Sequence, residues 1–136
     1  MGVGANYVLN KGLLATGSTA YAFGEVVKLL ADQKCVRATS ADDLGFLGVC
    51  QEDLDTTRLA TGKAVIGVAF LGLVRVIAGA EVNVGDRVTN NTSARAVTRS
   101  RTAAGSQPKS TFGIAMTYAS GDGVHIDVLL TPGATY

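Results

Sequence analysis

Few side chains in this sequence could do chemistry, and they are scattered. His125 is the sole histidine among 136 residues. Asp127 follows two positions later, and on a strand residues i and i+2 face the same side. Imidazole and carboxylate there would outline an acid–base dyad. A dyad works on a nucleophile held beside it, yet no elbow-type turn presents a Ser, Thr or Cys for that role. Val124–Val128 alternates apolar and polar residues, as a half-exposed strand does, so His125 and Asp127 are read as two polar groups on its solvent face. Cys35 and Cys50, with one histidine, match no usual zinc-ligand spacing. Two cysteines make no disulfide framework, and both are expected as buried thiols. Asp42 and Asp43 are sequence neighbours whose carboxylates diverge. The glycine-rich runs lack the Gly-Lys-Ser/Thr of a phosphate loop. No catalytic centre, metal, cofactor or small-molecule substrate is expected, and the protein is read as a non-enzyme.

The elements that would carry these residues read like one sentence written twice. The first copy runs Gly24-Glu25-Val26-Val27-Lys28, Cys35–Thr39, Phe46-Leu47-Gly48-Val49-Cys50 and Gly72–Val76. The second runs Gly85-Asp86-Arg87-Val88-Thr89, Arg95–Arg99, Thr111-Phe112-Gly113-Ile114-Ala115 and Val124–Val128. Each copy has a Gly-acid turn entering a strand, a short strand, a small-residue strand around a glycine, and a closing strand. Two copies are too few for a solenoid. Strand segments are expected near 22–30, 34–39, 46–51, 64–70, 71–78, 86–90, 94–99, 111–118 and 123–131. Short strands punctuated by Gly and Asp clusters point to a sandwich or barrel. Gly121-Asp122-Gly123 reads as a hairpin turn. Asp53–Leu59 could form one helical turn capped by Asp53, and Ala41–Leu44 another. The fold expected is all-β: a single compact small barrel or sandwich with an internal pseudo-repeat over 21–136, preceded by an extended N-terminal arm over 1–20 that has Tyr7, Val8 and Leu9 as its apolar cluster and room for one short strand. Gly48 and Gly113 are expected to be structural, at points of close backbone approach.

Composition fits this architecture and narrows the partners. Apolar residues make up 47% and aromatics 6%, with no Trp, so the core must be built from Val, Ala, Leu and Ile. Seventeen glycines suit tight turns. A net charge of +1 argues against a nucleic-acid binder, whose footprint is a basic domain or stripe. The apolar stretch 64–78 is too short for a membrane helix and contains Arg75, so it reads as buried strand. The amino terminus shows neither a secretory signal nor a myristoylation motif. One charge asymmetry stands out. Arg87, Arg95, Arg99, Arg101 and Lys109 share a stretch without acids, while Asp42, Asp43, Glu52, Asp53 and Asp55 share one without bases. These are either two solvated loops or complementary patches meeting across a subunit contact.

The wording of these motifs resembles the small capsid decoration (head cement) proteins of phages. The resemblance rests on a polar N-terminal arm, Gly24-Glu25-Val26-Val27, Gly48-Val49-Cys50, Val82-Asn83-Val84-Gly85-Asp86-Arg87-Val88 and Phe112-Gly113-Ile114-Ala115, and covers most of 20–131. The family commonly has Pro where this chain has Arg87, and segments 53–63 and 95–109 are longer than its compact form. The resemblance implies a virion protein made in the host bacterial cytoplasm. It would bind the outside of an assembled head as a homotrimer and clamp neighbouring major capsid subunits against the pressure of packaged DNA. Its partners would be the major capsid protein and itself, with no nucleic acid and no membrane. The residues assigned to that contact are Asn6, Tyr7 and Val8 in the arm and Arg95, Arg99 and Arg101 in the basic stretch. The alternative is a host-surface or tail-fibre-type binding module, which exposed clusters among Tyr7, Tyr21, Tyr118 and Tyr136 would favour.

Overall fold

A computed structural model describes residues 9–41, 45–100, 103–106 and 110–131. Nine strands appear among them: β1 (Leu9–Ala15), β2 (Val26–Leu30), β3 (Lys34–Arg37), β4 (Leu47–Cys50), β5 (Val65–Ile77), β6 (Arg87–Asn90), β7 (Ala96–Thr98), β8 (Gly113–Ala115) and β9 (His125–Leu130). One short α-helix, α1 (Thr56–Ala60), precedes β5, and a single 3-10 turn, Ala31–Gln33, joins β2 to β3. The all-β expectation holds, and its closure is a barrel. The order β1-β3-β2-β4-β5 returns on itself because β1 also pairs antiparallel with β5. β9, β8, β6 and β7 continue outward from the second half of β5.

The pseudo-repeat is real at the level of single hydrogen bonds. Gly24 N–H donates to Cys50 O, and Gly85 N–H to Ala115 O, at 2.9 and 2.8 Å. Tyr21 and Leu54 exchange a pair of backbone bonds, as do Val82 and Ala119. Thr16 N–H donates to Cys35 O, and Gly79 N–H to Ala96 O. The side chains follow the same equivalence. One cluster holds Leu13, Val27, Cys35, Cys50, Ile66 and Val68, and the other holds Val76, Val88, Ala96, Ala115, Ile126 and Val128 in the matching places.

That equivalence corrects the fourth strand of the repeat. The two expected segments 64–70 and 71–78 are one continuous strand, β5, with two jobs. Its first half closes the first copy, so Ile66 answers to Ile126. Its second half opens the second copy by running antiparallel to β9, with Ala78 bridged in parallel to Ala96. β1 plays that opening role for the first copy, antiparallel to β5 and parallel to β3, with Ala15 opposite Cys35. The segment 1–20, read as an arm, therefore contains a barrel strand whose Leu13 and Ala15 are buried in the first core.

The Gly-acid turns explain themselves. Glu25 N–H donates to Ala22 O and Asp86 N–H to Asn83 O, closing four-residue turns. Gly24 (φ +89°) and Gly85 (φ +90°) occupy the third position, which accepts a residue without a Cβ at positive φ. Each acid then caps its own turn: Glu25 Oε1 accepts from Ala22 N–H at 2.6 Å and Asp86 Oδ2 from Asn83 N–H at 2.9 Å. Gly48 and Gly113 sit where strands crowd. A Cβ on Gly48 would lie 2.8 Å from Ala69 O, and one on Gly113 2.6 Å from Leu129 O.

Candidate functional site

The outlined dyad is not assembled. His125 is exposed and stacks on Phe23, with ring centroids 6.4 Å apart. Asp127 faces Arg75 across the β5–β9 register, with Oδ1 3.5 Å from the arginine Nε. Both groups are occupied on the outer side of a strand, as the alternation implied.

Cys35 and Cys50 are free, buried thiols in the first core. Cys50 Sγ donates to Glu52 O at 2.8 Å. Burial first, and then the neighbouring Cys50, pushes the Cys35 thiol up to about 11; burial likewise pushes Cys50 up to about 11. Tyr21, whose hydroxyl donates to Thr16 O at 2.5 Å, is also raised, chiefly by burial. Each group is thus held in its protonated, unreactive form at neutral pH. A surface cavity of about 110 Å³, lined by residues including Thr16, Ser18, Val36 and Arg37, lies well below the roughly 300–1,000 Å³ of ordinary ligand pockets. Among the described residues no group of three or more His, Cys, Asp or Glu gathers as metal ligands. Among the same residues no helix is long and apolar enough to cross a membrane.

The assigned contact residues fall as follows. Asn6, Tyr7, Val8 and Arg101 lie outside the described residues. Arg95 immediately precedes β7, and its Nη1 donates to Asp122 Oδ1 at 2.7 Å, so it links the β6–β7 turn to the Gly121–Gly123 turn of its own chain. Within that turn only Gly123 takes a positive φ. Arg99 is half-buried just beyond β7, its backbone N–H donating to Arg87 O. Of the acidic stretch, Asp53 Oδ1 accepts from Phe23 N–H, and Asp55, not the expected Asp53, caps α1 by accepting from Arg58 N–H. Asp42, Asp43 and Leu44 lie outside the described residues. The described members of both charged stretches are thus committed in part to local structure.

The buried ion pair lies elsewhere. Arg37 Nε and Nη2 both donate to Glu25 Oε2, on a carboxylate that is nearly inaccessible. In the second copy Thr98 Oγ1 takes the place of the guanidinium, donating to Asp86 Oδ2 at 2.9 Å.

Sequence reasoning missed the exposed apolar surface. Outward-facing Leu9 stands opposite Leu71, Leu73 opposite Leu129, and Leu129 opposite Ile114, so these side chains form one stripe across β1, β5, β9 and β8. A second group, Leu29, Leu30 and Phe46, marks the turn end of the first copy, where Leu29 N–H donates to Phe46 O and the Phe46 ring tilts against Phe70. Contiguous exposed apolar area of this kind marks interaction surfaces. The alternation of β9 held a signal, since Leu129 falls on the same face as His125 and Asp127.

No family model and no curated protein sequence matches the chain. Among solved structures it is similar to the head fiber gp8.5 N base of bacteriophage phi29, with a TM-score of 0.62 and 18% identity. The alignment covers 92% of this chain and 95% of that one. At this identity the likeness is one of fold.

Proposed function

We propose that this chain is a structural protein of a phage virion, bound to the outside of the head as a decoration protein that holds neighbouring capsid subunits together. The observation that carries the reading is the nearly end-to-end fold likeness to the base of a phage head fiber, which joins the motif resemblance reached independently from the sequence. The physics is consistent with it. A cement protein needs a rigid β-body, and here two barrel-like halves share a single strand. It needs sticky outer surface, and here the exposed residues include a leucine stripe. It needs weak contacts made additive by repetition over a lattice, which a homotrimer on the head supplies. In this reading Asn6, Tyr7 and Val8, just before β1, and Arg101 reach the capsid, while Arg95 serves its own fold. The host-surface alternative loses ground, because Tyr21 is buried and Tyr118 is the exposed tyrosine among the described residues.

The test is a cosedimentation titration of the purified protein with purified heads that lack it. Saturable binding at a fixed ratio to capsid subunits is expected. Protein that stays in the supernatant at every concentration contradicts the proposal.

A further inference from the structure

The seam between the two halves has a grammar. The turn between β6 and β7 of the second half lies on the outer wall of the first: Ala94 O accepts from Val26 N–H at 2.7 Å, and Asn90 Nδ2 donates to Ala38 O and Ser40 O. The wall itself, Val26, Ala38, Leu47, Val49 and Ala69, is buried in one cluster with the second half's core. One half thus offers a turn end, and the other a wall.

The repeat places both features a second time. The equivalent of the docking turn is the β2–β3 turn of the first half. Gln33 (φ +58°) matches Ala94 (φ +59°), each at the same place in its hairpin and in the same left-handed conformation. That turn end carries Leu29, Leu30 and Phe46, exposed by 37%, 36% and 44%. The equivalent of the wall lies on the second half. Ile114 stands for Val49 and Leu129 for Ala69, as the paired registers Val49–Ala69 and Ile114–Leu129 require. Arg87 stands for Val26 and Arg99 for Ala38, since Ala38 N–H donates to Val26 O as Arg99 N–H does to Arg87 O. On this second wall Leu129 is 41% exposed, and Ile114, Arg87 and Arg99 are half-buried. Among the described residues, each chain therefore carries a second wall on which Leu129 stays exposed, although Phe112, in the place of Leu47, is buried, and a second turn end whose Leu29, Leu30 and Phe46 stay exposed.

We infer that a second copy of this chain fills the wall: the Leu29–Lys34 turn and Phe46 of one protomer dock on the Arg87–Ile114–Leu129 wall of the next, repeating the contact made inside each chain. This rests on the reading of the protein as self-associating and names the surfaces. The exchange of Val26 and Ala38 for two arginines fits a face that meets water in the free protomer, since arginine is enriched at interfaces and tolerates both states. The contact is heterologous, wall to turn end, so repetition closes a ring when the rotation permits and otherwise grows a filament.

Two variants test it, Leu129→Glu on the wall and Leu30→Glu on the turn end, each studied with the parent by sedimentation velocity over a concentration series. Thermal unfolding of each variant near the parent's midpoint establishes the fold; if Leu129→Glu unfolds, Ile114→Lys replaces it. The parent is expected to associate and each variant alone to sediment as a monomer. Mixed in equal amounts, the variants retain one good wall and one good turn end between them, and are expected to form a 1:1 heterodimer that grows no further. A parent that associates while the variants associate equally well overturns the surfaces and leaves self-association standing. Variants that are both monomeric but fail to pair when mixed overturn the wall-to-turn geometry in favour of a like-with-like contact. A parent that is monomeric at every concentration overturns the inference itself, whereas binding to heads is decided separately by cosedimentation.

Discussion

Gly113 shows how much a single missing methyl can matter. Its Cβ position is filled by Leu129 O at 2.6 Å and by the Val128 side chain, so backbone would have to move to admit any larger residue. Gly113→Val is expected to destabilise by about 1–3 kcal/mol in a denaturant titration, the range for overpacking. Gly121, with no atom within 4 Å of its Cβ position, is the control, and Gly121→Ala should fall near the parent. Equal stability of the Gly113 variant would contradict the close approach. The two buried thiols make a second prediction. Each is pushed by burial from 9.0 to about 11, so the folded state holds its protons more tightly than the unfolded chain does. Their stabilising contribution is fully present below pH 9 and is lost as pH rises through about 11, on the order of 2 kcal/mol per thiol. The drop in unfolding midpoint between pH 8 and pH 10.5 should shrink in a Cys35→Ala, Cys50→Ala double variant. An undiminished drop would assign the alkaline loss to other groups.

At the scale of elements, β1 is the strand whose importance the sequence conceals. Its neighbourhood is small and polar, and Leu9-Asn10-Lys11-Gly12 gives no alternation, so it reads as an arm. Its place is set by partners far along the chain, Val65–Leu71 on one side and Lys34–Cys35 on the other. Such non-local pairing leaves no trace in a local pattern. The repeat was legible because its marks are local: a glycine needing positive φ, an acid capping its own turn, a glycine crowded by the next strand. The handover inside β5 was not, since one strand serving two copies looks like two strands. The exposure of Leu129 and Ile114 was equally hidden, because burial of Ala69 and Val49 depends on which half stands in front of them. Deleting residues 2–15 is therefore expected to remove a barrel wall and abolish cooperative unfolding. Leu13→Ala alone should cost about 2–5 kcal/mol, as for a buried leucine. A deletion variant with the parent's unfolding midpoint would contradict β1 as a barrel strand.

For the whole molecule, the proposed role rests on shape and surface. The buried thiols and Tyr21 are held protonated and Glu25 is paired with Arg37, the Thr89 and Thr111 hydroxyls are buried without a hydrogen-bond partner, and Leu9, Leu71 and Leu129 are exposed. Under the proposed reading, charge should tune head binding without creating it. Replacing Arg101 by Ser is expected to weaken binding by about 0.2–1 kcal/mol. The deficit should narrow at high salt as screening removes what the arginine supplied. Identical titrations at every salt concentration would exclude this arginine from the contact. The central claim is that this protein belongs to the head of a virion. The most direct measurement is quantitative mass spectrometry of gradient-purified phage particles from cells in which the chain is made. The account predicts the chain in mature heads at a copy number in fixed proportion to the major capsid protein. Its absence from purified particles, while it accumulates in the infected cell, would contradict it.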